Sequence, residues 1–268
     1  MGISKIIDSD YRAIKAVSQS TIGQALSLSP WEWRRRQNEP FEPTPKMRLG
    51  TLIHAMVLEP ETIERDFVKV PKLDRRRTES KELLAALEKD SRAQVDEETW
   101  STAESVTSEI ADTKAANLLF TGGKSEVSVL GHSILGEPVK GKIDYLREDA
   151  RIILDLKTTE QDLQDDNLRW LMDQKSYKVQ AAFYLDLLKM ETGEDYSFCF
   201  FFVNVKAPFE MRKVVVSDAL NGDWINEGRD LYLKGLELIL GWRKSGVYPK
   251  LIDLPSYIPQ SKPWRTKQ

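Results

Sequence analysis

The sequence is poor in the residues that thiolate and redox chemistry require. Of its 268 residues one is cysteine and two are histidine. A lone cysteine excludes an internal disulfide, a thiolate zinc site and a four-cysteine iron–sulfur cluster. Cys199 lies in the apolar run FCFFFV and reads as a small buried hydrophobe in a reducing compartment. No apolar run approaches the roughly 20 residues that cross a bilayer. The opening MGISKIIDSDYRAIK lacks the apolar core of a secretory leader, and Ile6 stands where a myristoylation signal wants Ser or Thr. These absences predict a cytoplasmic protein with no membrane partner. Internal repeats and low-complexity tracts are also missing, and so is any excess of positive charge. The balance of 39 Lys and Arg against 42 Asp and Glu gives −3, which argues against a passive coat for nucleic acid. It leaves room for an enzyme that grips phosphates locally while carrying acidic metal ligands. With 41% apolar and 30% charged residues, the composition is globular, sufficient for one large core or two modest ones.

What is present falls into two textures. The first forty-odd residues suggest two short helices and a loop, with Ser and Thr caps and a Pro-rich break. KMRLGTLIHAMVLEPE predicts a helix of about three turns ended by Pro60, RDFVKVP a short strand, and DRRRTESKELLAALEKD a basic loop leading into a capped helix. Helical spacing of Trp100, Val106, Ile110 and Leu118 predicts a further helix from Glu97 to Leu119. From Ser125 the pattern alternates, with β-branched residues punctuated by Gly and Pro, and predicts three antiparallel strands up to Thr158. YKVQAAFYLDLLKMETG is an amphipathic helix closed by Gly193, YSFCFFFVNV a buried strand, FEMRKVVVS another strand, and Asp223 to Lys244 a long helix. The prolines of YPKLIDLPSYIPQSKPW predict an extended tail. The expected fold is α/β, a central mixed sheet flanked by helices.

One segment of the alternating region carries charge where apolar residues belong. In GKIDYLREDARIILDLKTT, parity places Ile153, Asp155 and Lys157 on one face of a strand and Ile152, Leu154 and Leu156 on the other. If the second set packs into the core, the first faces a cleft or solvent. Asp144, on the preceding strand, falls opposite Asp155 or one diagonal step away. Two carboxylates so close repel, and one tends to take up a proton unless a divalent cation such as Mg²⁺ relieves them. Lys157 beside that cation can orient a water or stabilise charge building on a phosphorus centre. The plain alternative, an exposed strand face on which Asp155 and Lys157 merely pair, suffices for Asp-x-Lys alone, since so short a pattern recurs by chance.

Four stretches taken together are more specific: RLGTLIHAMVLEPE, DRRRTESKE, GKIDYLREDARIILDLKTT and YKVQAAFY. In that order and spacing the sequence resembles the PD-(D/E)XK nuclease superfamily, and within it the nuclease domain of exodeoxyribonuclease VIII, the RecE-type phage recombination exonuclease. One departure is Ile143, which precedes Asp144 where the signature often has Pro. The resemblance implies a restriction-endonuclease-like core and makes Lys157 the catalytic lysine. It implies that His54, Glu126, Asp144 and Asp155 hold Mg²⁺, with Mn²⁺ able to substitute and two ions per site. Gln180 and Tyr184, four apart on one helix face, would reach the active site and the DNA backbone, with Tyr177 on the same side. Arg75, Arg76 and Arg77 would contact phosphate. Alternatives stand beside these roles: a core histidine for His54, an edge-strand charge for Glu126, a core aromatic for Tyr184 and a solvated face for the arginines. Arg34, Arg35 and Arg36 beside Trp31 and Trp33 form a second basic run, either a platform at a frayed DNA end or part of a helical layer.

By the same likeness, residues 1–268 form one nuclease domain: a helical layer over 1–45, the catalytic core over 46–245 and the tail over 246–268. The implied activity is Mg²⁺-dependent digestion of double-stranded DNA from its ends, 5′ to 3′. It would leave 3′ overhangs for recombination with a single-strand annealing partner. A homo-oligomeric ring, a tetramer, would enclose the duplex, with the tail as a subunit contact. Two alternatives remain: a structure-specific or single-strand endonuclease of repair or defence on the same fold, and a catalytically silent DNA-binding scaffold.

Overall fold

The computed structural model of the chain describes residues 2–39, 43–71, 87 and 89–250, with Lys175 described by its backbone alone. The N-terminal part runs β1 (Gly2–Ser4), α1 (Asp8–Ala13), β2 (Val17–Ser18), α2 (Gln19–Ser27), α3 (Pro30–Asn38) and α4 (Pro45–Leu58). After a 3-10 turn come α5 (Ile63–Asp66), β3 (Phe67–Val70), β4 (Ala93–Asp96), α6 (Glu97–Asp112) and α7 (Lys114–Leu119). The alternating region gives β5 (Lys124–His132), β6 (Pro138–Arg147) and β7 (Ile152–Thr159). The chain continues through α8 (Asp165–Met172), α9 (Lys175–Thr192), β8 (Ser197–Asn204), β9 (Met211–Val216) and α10 (Asp218–Ser245). Local chemistry sets several of these bounds. Thr44 Oγ1 accepts the Met47 N–H and Pro45 occupies the first turn, which starts α4; Glu59-Pro60 stops it. Gly193 closes α9 in the left-handed conformation, φ 75°, as expected.

The central sheet has the order β1-β5-β6-β7-β8-β9, antiparallel except for the β7–β8 pair. It is forked. β6 pairs with β7 only from Tyr145 to Arg147, whereas β2 pairs in parallel with the start of β6, at Val139 and Lys140. Beyond Leu154, β7 leaves β6 and runs on beside β8 to Thr159. β3 and β4 form a separate two-stranded parallel sheet.

Both faces of the central sheet are covered. On one, Val179, Phe183 and Leu187 of α9, with Ile225 and Leu236 of α10, pack on Leu146, Ile153, Phe198, Phe200 and Phe202. On the other, Leu52 and Ile53 of α4 and Val106 and Ile110 of α6 pack on Leu156, Phe201 and Val203. The continuous apolar run in β8 follows, since alternate side chains enter different cores.

The sequence expectations need four corrections. The first forty residues hold three helices, and two strands that enter the central sheet, too short to show a period of two. Ile153 does not face a cleft: it is 1% exposed in the core under α9, Asp155 is buried as well, and the face opens only past the fork, at Lys157. The helix expected over 97–119 breaks at Thr113 into α6 and α7. The C-terminal helix starts earlier, at Asp218 under a Ser217 cap, and kinks at Asn221. The helix expected after Arg75–Arg77 and the tail from residue 251 lie outside the described residues. Among the described residues no helix is long and apolar enough to cross a membrane.

The α9–α10 crossing gives a test of this packing. A Cβ on Gly228 would lie 2.3 Å from the Lys178 carbonyl oxygen and 2.9 Å from Ala182 Cβ, and backbone cannot yield as a side-chain tip can. Gly228→Ala is expected to destabilise the fold by about 1–3 kcal/mol. Gly241→Ala, on the same helix with nothing within 4 Å, should stabilise it by about 0.5–1 kcal/mol. Urea denaturation followed by circular dichroism reads both.

Candidate active site

The fork in the sheet brings three acidic residues into one row. β5 and β6 pair through Ser125 with Tyr145 and Val127 with Ile143, so Glu126 and Asp144 share a register position. β6 and β7 pair last at Tyr145 with Leu154, so one step further Asp144 falls opposite Asp155. The β5–β6 ladder skips this row and resumes beyond it, whereas the β6–β7 ladder ends just before it. Glu126 has φ 53°, a left-handed conformation that costs a non-glycine residue of order 1 kcal/mol or more. At Asp144 the ladder bond is replaced by a side chain: Oδ2 accepts the Leu156 N–H at 2.9 Å. The parting strands thus leave backbone groups that the carboxylate satisfies.

α4 lies against this row and contributes His54, whose Nδ1 is 3.6 Å from Asp144 Oδ2. Gly50, one turn earlier, makes the approach possible: a Cβ there would sit 3.1 Å from Thr158 Oγ1 of β7. One potential ligand atom each from His54, Glu126 and Asp144 lies within 4.8 Å of the others. Asp155 stands beside this trio, 4% exposed. Its Oδ1 accepts a hydrogen bond from Gln180 Nε2 of α9. Its Oδ2 is 2.6 Å from Lys157 Nζ. His54 and Glu126 line a cleft of about 1340 Å³ between α4 and residues 5–12, floored by Leu156 and Lys157.

Burial dominates the electrostatics. It pushes the Asp144 carboxyl up to about 7, with the charge of Asp155 adding to the effect. Burial also raises Glu126, against the pull of Lys142. Desolvation lowers His54, and the Lys157 charge lowers it further, so its imidazole is neutral and offers a lone pair. For Lys157 burial acts downward, but Asp155 and then Asp144 outweigh it and hold the ammonium charged. A neutral imidazole and two carboxylates that repel one another suit a hard divalent cation of the Mg²⁺ or Mn²⁺ class.

The other predicted residues divide. Gln180 reaches the row. Tyr184 does not turn its hydroxyl to it: the ring is buried and the hydroxyl donates to the Lys142 carbonyl at 2.9 Å, so it braces β6 from behind. Tyr177, partly buried, packs edge-on against Phe200 with centroids 5.3 Å apart, and its hydroxyl lies near enough to the row to feel the charges of Lys157 and Asp155. Arg75, Arg76 and Arg77 lie outside the described residues. Arg35 and Arg36 pair with Glu32, and Arg34 lies over the Tyr248 ring. Trp33 is core, 2% exposed, its indole N–H donating to the Thr21 carbonyl. Lys142 was missed. Its Nζ is 3.1 Å from Glu126 Oε2 and 3.2 Å from Asp8 Oδ1. Parity with Asp144 was the available signal, but nothing in the sequence ties it to Asp8.

Residues 24–254 match the family model described as a PDDEXK-like domain of unknown function (DUF3799). No curated protein matches the sequence. Among solved structures, the chain is similar to a protein of Eubacterium rectale provisionally named an exonuclease. The two share 14% identity over 95% of this chain and 97% of that one, at a TM-score of 0.65, a likeness of fold. A looser likeness, TM-score 0.36 and 14% identity over 89% of this chain and 98% of the other, is to an alkaline exonuclease of Laribacter hongkongensis. The family match takes in every strand that carries the acidic row, and the chain belongs to the PDDEXK-like DUF3799 family, with the α/β fold of PD-(D/E)XK proteins.

Proposed function

We propose that the protein is a divalent-cation-dependent deoxyribonuclease that shortens double-stranded DNA from its ends. The observation that carries this reading is the convergence at the fork of His54, Glu126, Asp144, Asp155 and Lys157 from four separate elements, with His54, Glu126 and Lys157 lining an open cleft. His54, Glu126 and Asp144 would hold the cation, with Asp155 next to them. A bound cation of this class supplies a Lewis acid for the phosphoryl oxygens and an activated water. The chain's own groups do the remainder. Asp155 fixes the Lys157 ammonium at 2.6 Å, and Gln180 fixes Asp155, so the charge is held before substrate arrives. An ammonium set in this way can neutralise a non-bridging phosphate oxygen as charge grows in the transition state, without reorganisation. Digestion from the 5′ strand, a 3′ overhang for an annealing partner and a subunit ring around the duplex belong to the same proposal, supported by the likeness to recombination exonucleases.

Digestion of end-labelled linear duplex should proceed with Mg²⁺, stop with EDTA and spare covalently closed circles. Loss of the circles as well favours the structure-specific endonuclease, and no cleavage of either the silent scaffold. Light scattering tests the ring separately, since a monomer at working concentration removes the ring and leaves the nuclease.

Lys157→Ala should lower the cleavage rate about 10²-fold or more while duplex affinity, read by fluorescence anisotropy, stays within a few-fold. Cutting at the wild-type rate would remove Lys157 from its role.

The Asp144 shift sets a pH dependence. A carboxyl whose folded pKa lies near 7, above its ordinary value, stabilises the cation-free fold below about pH 4, and that contribution is lost as pH rises through 7. A cation must displace the proton, so saturating Mg²⁺ should raise Tm more at pH 8 than at pH 5.5. Equal shifts at both pH values would contradict the assignment of Asp144 as a ligand.

A further inference from the structure

Lys142 is a cationic group of the cleft, next to the acidic row, that the proposed mechanism leaves unused, and it is held from three sides. Its Nζ lies 3.1 Å from Glu126 Oε2, 3.2 Å from Asp8 Oδ1 and 5.8 Å from the centre of the Tyr11 ring. α1, which carries Asp8 and Tyr11, is itself pinned to β6: buried Lys140 donates to the carbonyls of Tyr11 at 2.7 Å and Ile14 at 2.9 Å. The ammonium therefore has a built position, on the side of Glu126 where Asp8 approaches.

The charges around the row nearly close without a metal. Four carboxylates, Asp8, Glu126, Asp144 and Asp155, face three cationic side chains. Arg12 pairs with Asp8 at 2.6 Å, Lys142 bridges Asp8 and Glu126, and Lys157 pairs with Asp155. The rim pairs Lys5 with Glu59 and Arg65 with Asp66 close on themselves. Asp144 remains, with a backbone N–H and the His54 ring as its neighbours. One divalent cation at Asp144 turns the excess negative charge into a single positive one, which matches the single charge of a phosphodiester. A second would meet the Lys142 ammonium on the Glu126 side and the Lys157 ammonium on the Asp155 side, and would leave the site strongly positive.

We infer that each active site takes one divalent cation, held by His54, Glu126 and Asp144, and that the Lys142 ammonium occupies the place a second would need. This rests on the nuclease reading and replaces the two ions that the sequence resemblance implies. Lys142 is thereby a positioning residue: it orients Glu126, on its strained backbone, toward the ion and supplies a fixed charge at the cleft floor.

Counting bound Mn²⁺ on the full chain, by calorimetry and by electron paramagnetic resonance of the free ion, tests the inference. The wild type should bind one ion per chain and Lys142→Arg should also bind one. Lys142→Met, with its fold checked by circular dichroism, should bind two. Two ions on the wild type would overturn the inference and leave the nuclease reading standing. So would a Lys142→Met protein with unchanged number and affinity. No bound ion on the wild type would remove the cation-dependent reading itself. The wild-type count holds even if the methionine variant does not fold.

Discussion

Mutual repulsion among Glu126, Asp144 and Asp155 is the constraint to which the rest of the site answers. Carboxylates on three adjacent strands at one register position cannot all ionise in a half-buried setting without compensation. Each compensating feature has its own source. The Leu156 N–H is free for Asp144 because β7 parts from β6 there. Lys157 follows Asp155 by the two-residue period of the strand, and α9 sends in Gln180 from the layer beneath. Glu126 reaches the row by adopting a conformation that an unconstrained strand residue avoids. A cation completes the set, and that is why its binding and the protonation of Asp144 are two outcomes of one balance.

That balance is steady only if the strands cannot shift, and the packing supplies the rigidity. β7 and β8 are buried on both faces, so relieving the repulsion by moving a strand would open two cores at once. Close helix approaches reinforce this. Gly50 lets α4 press His54 onto β7, and Gly141 of β6 admits the Tyr184 ring, where a Cβ would come within 2.6 Å. Tyr184 then closes the contact with its hydroxyl on the next carbonyl of the same strand. Its contribution is to hold β6, and through β6 both Lys142 and Asp144.

Much of this was legible in the sequence because period-two parity and buried apolar runs are local signals. The β5–β7 alternation, the Phe-rich strand, the Pro60 end of α4 and the Gly193 stop were all read from local signals, and parity alone set Asp155 and Lys157 on one face. What parity could not show is which face was covered. Ile153 and Asp155 share a face, yet one lies in the apolar core and the other at the fork, and the difference arises where β7 parts from β6 beyond Leu154, a point no local pattern marks. The left-handed Glu126 gave no sign either, since the sequence has no glycine there to announce it. Lys142 was half-legible: its face followed from Asp144, but its partner Asp8 is remote in the chain and became a neighbour only through the pairing of β1 with β5 and β2 with β6.

The N-terminal segment therefore has more than a scaffolding part. The family match begins at residue 24, after β1, α1 and β2, so it covers the acidic row and Lys157 but not Asp8 and Tyr11, which hold Lys142 from the other two sides. The two parts of the site meet on β6, where Lys140 grips α1 and Lys142 faces Glu126. Pairing of β1 and β2 with the sheet costs chain entropy on five residues and forms few ladder bonds, so these strands depend on what the lysines anchor. Loosening α1 should then disturb Glu126 before it disturbs either core, because the links from α1 to the row run through Lys142 and not through apolar packing. Cation affinity is thereby coupled to a segment that touches no ligand atom directly. It is an electrostatic coupling, made of one ammonium shared between two carboxylates.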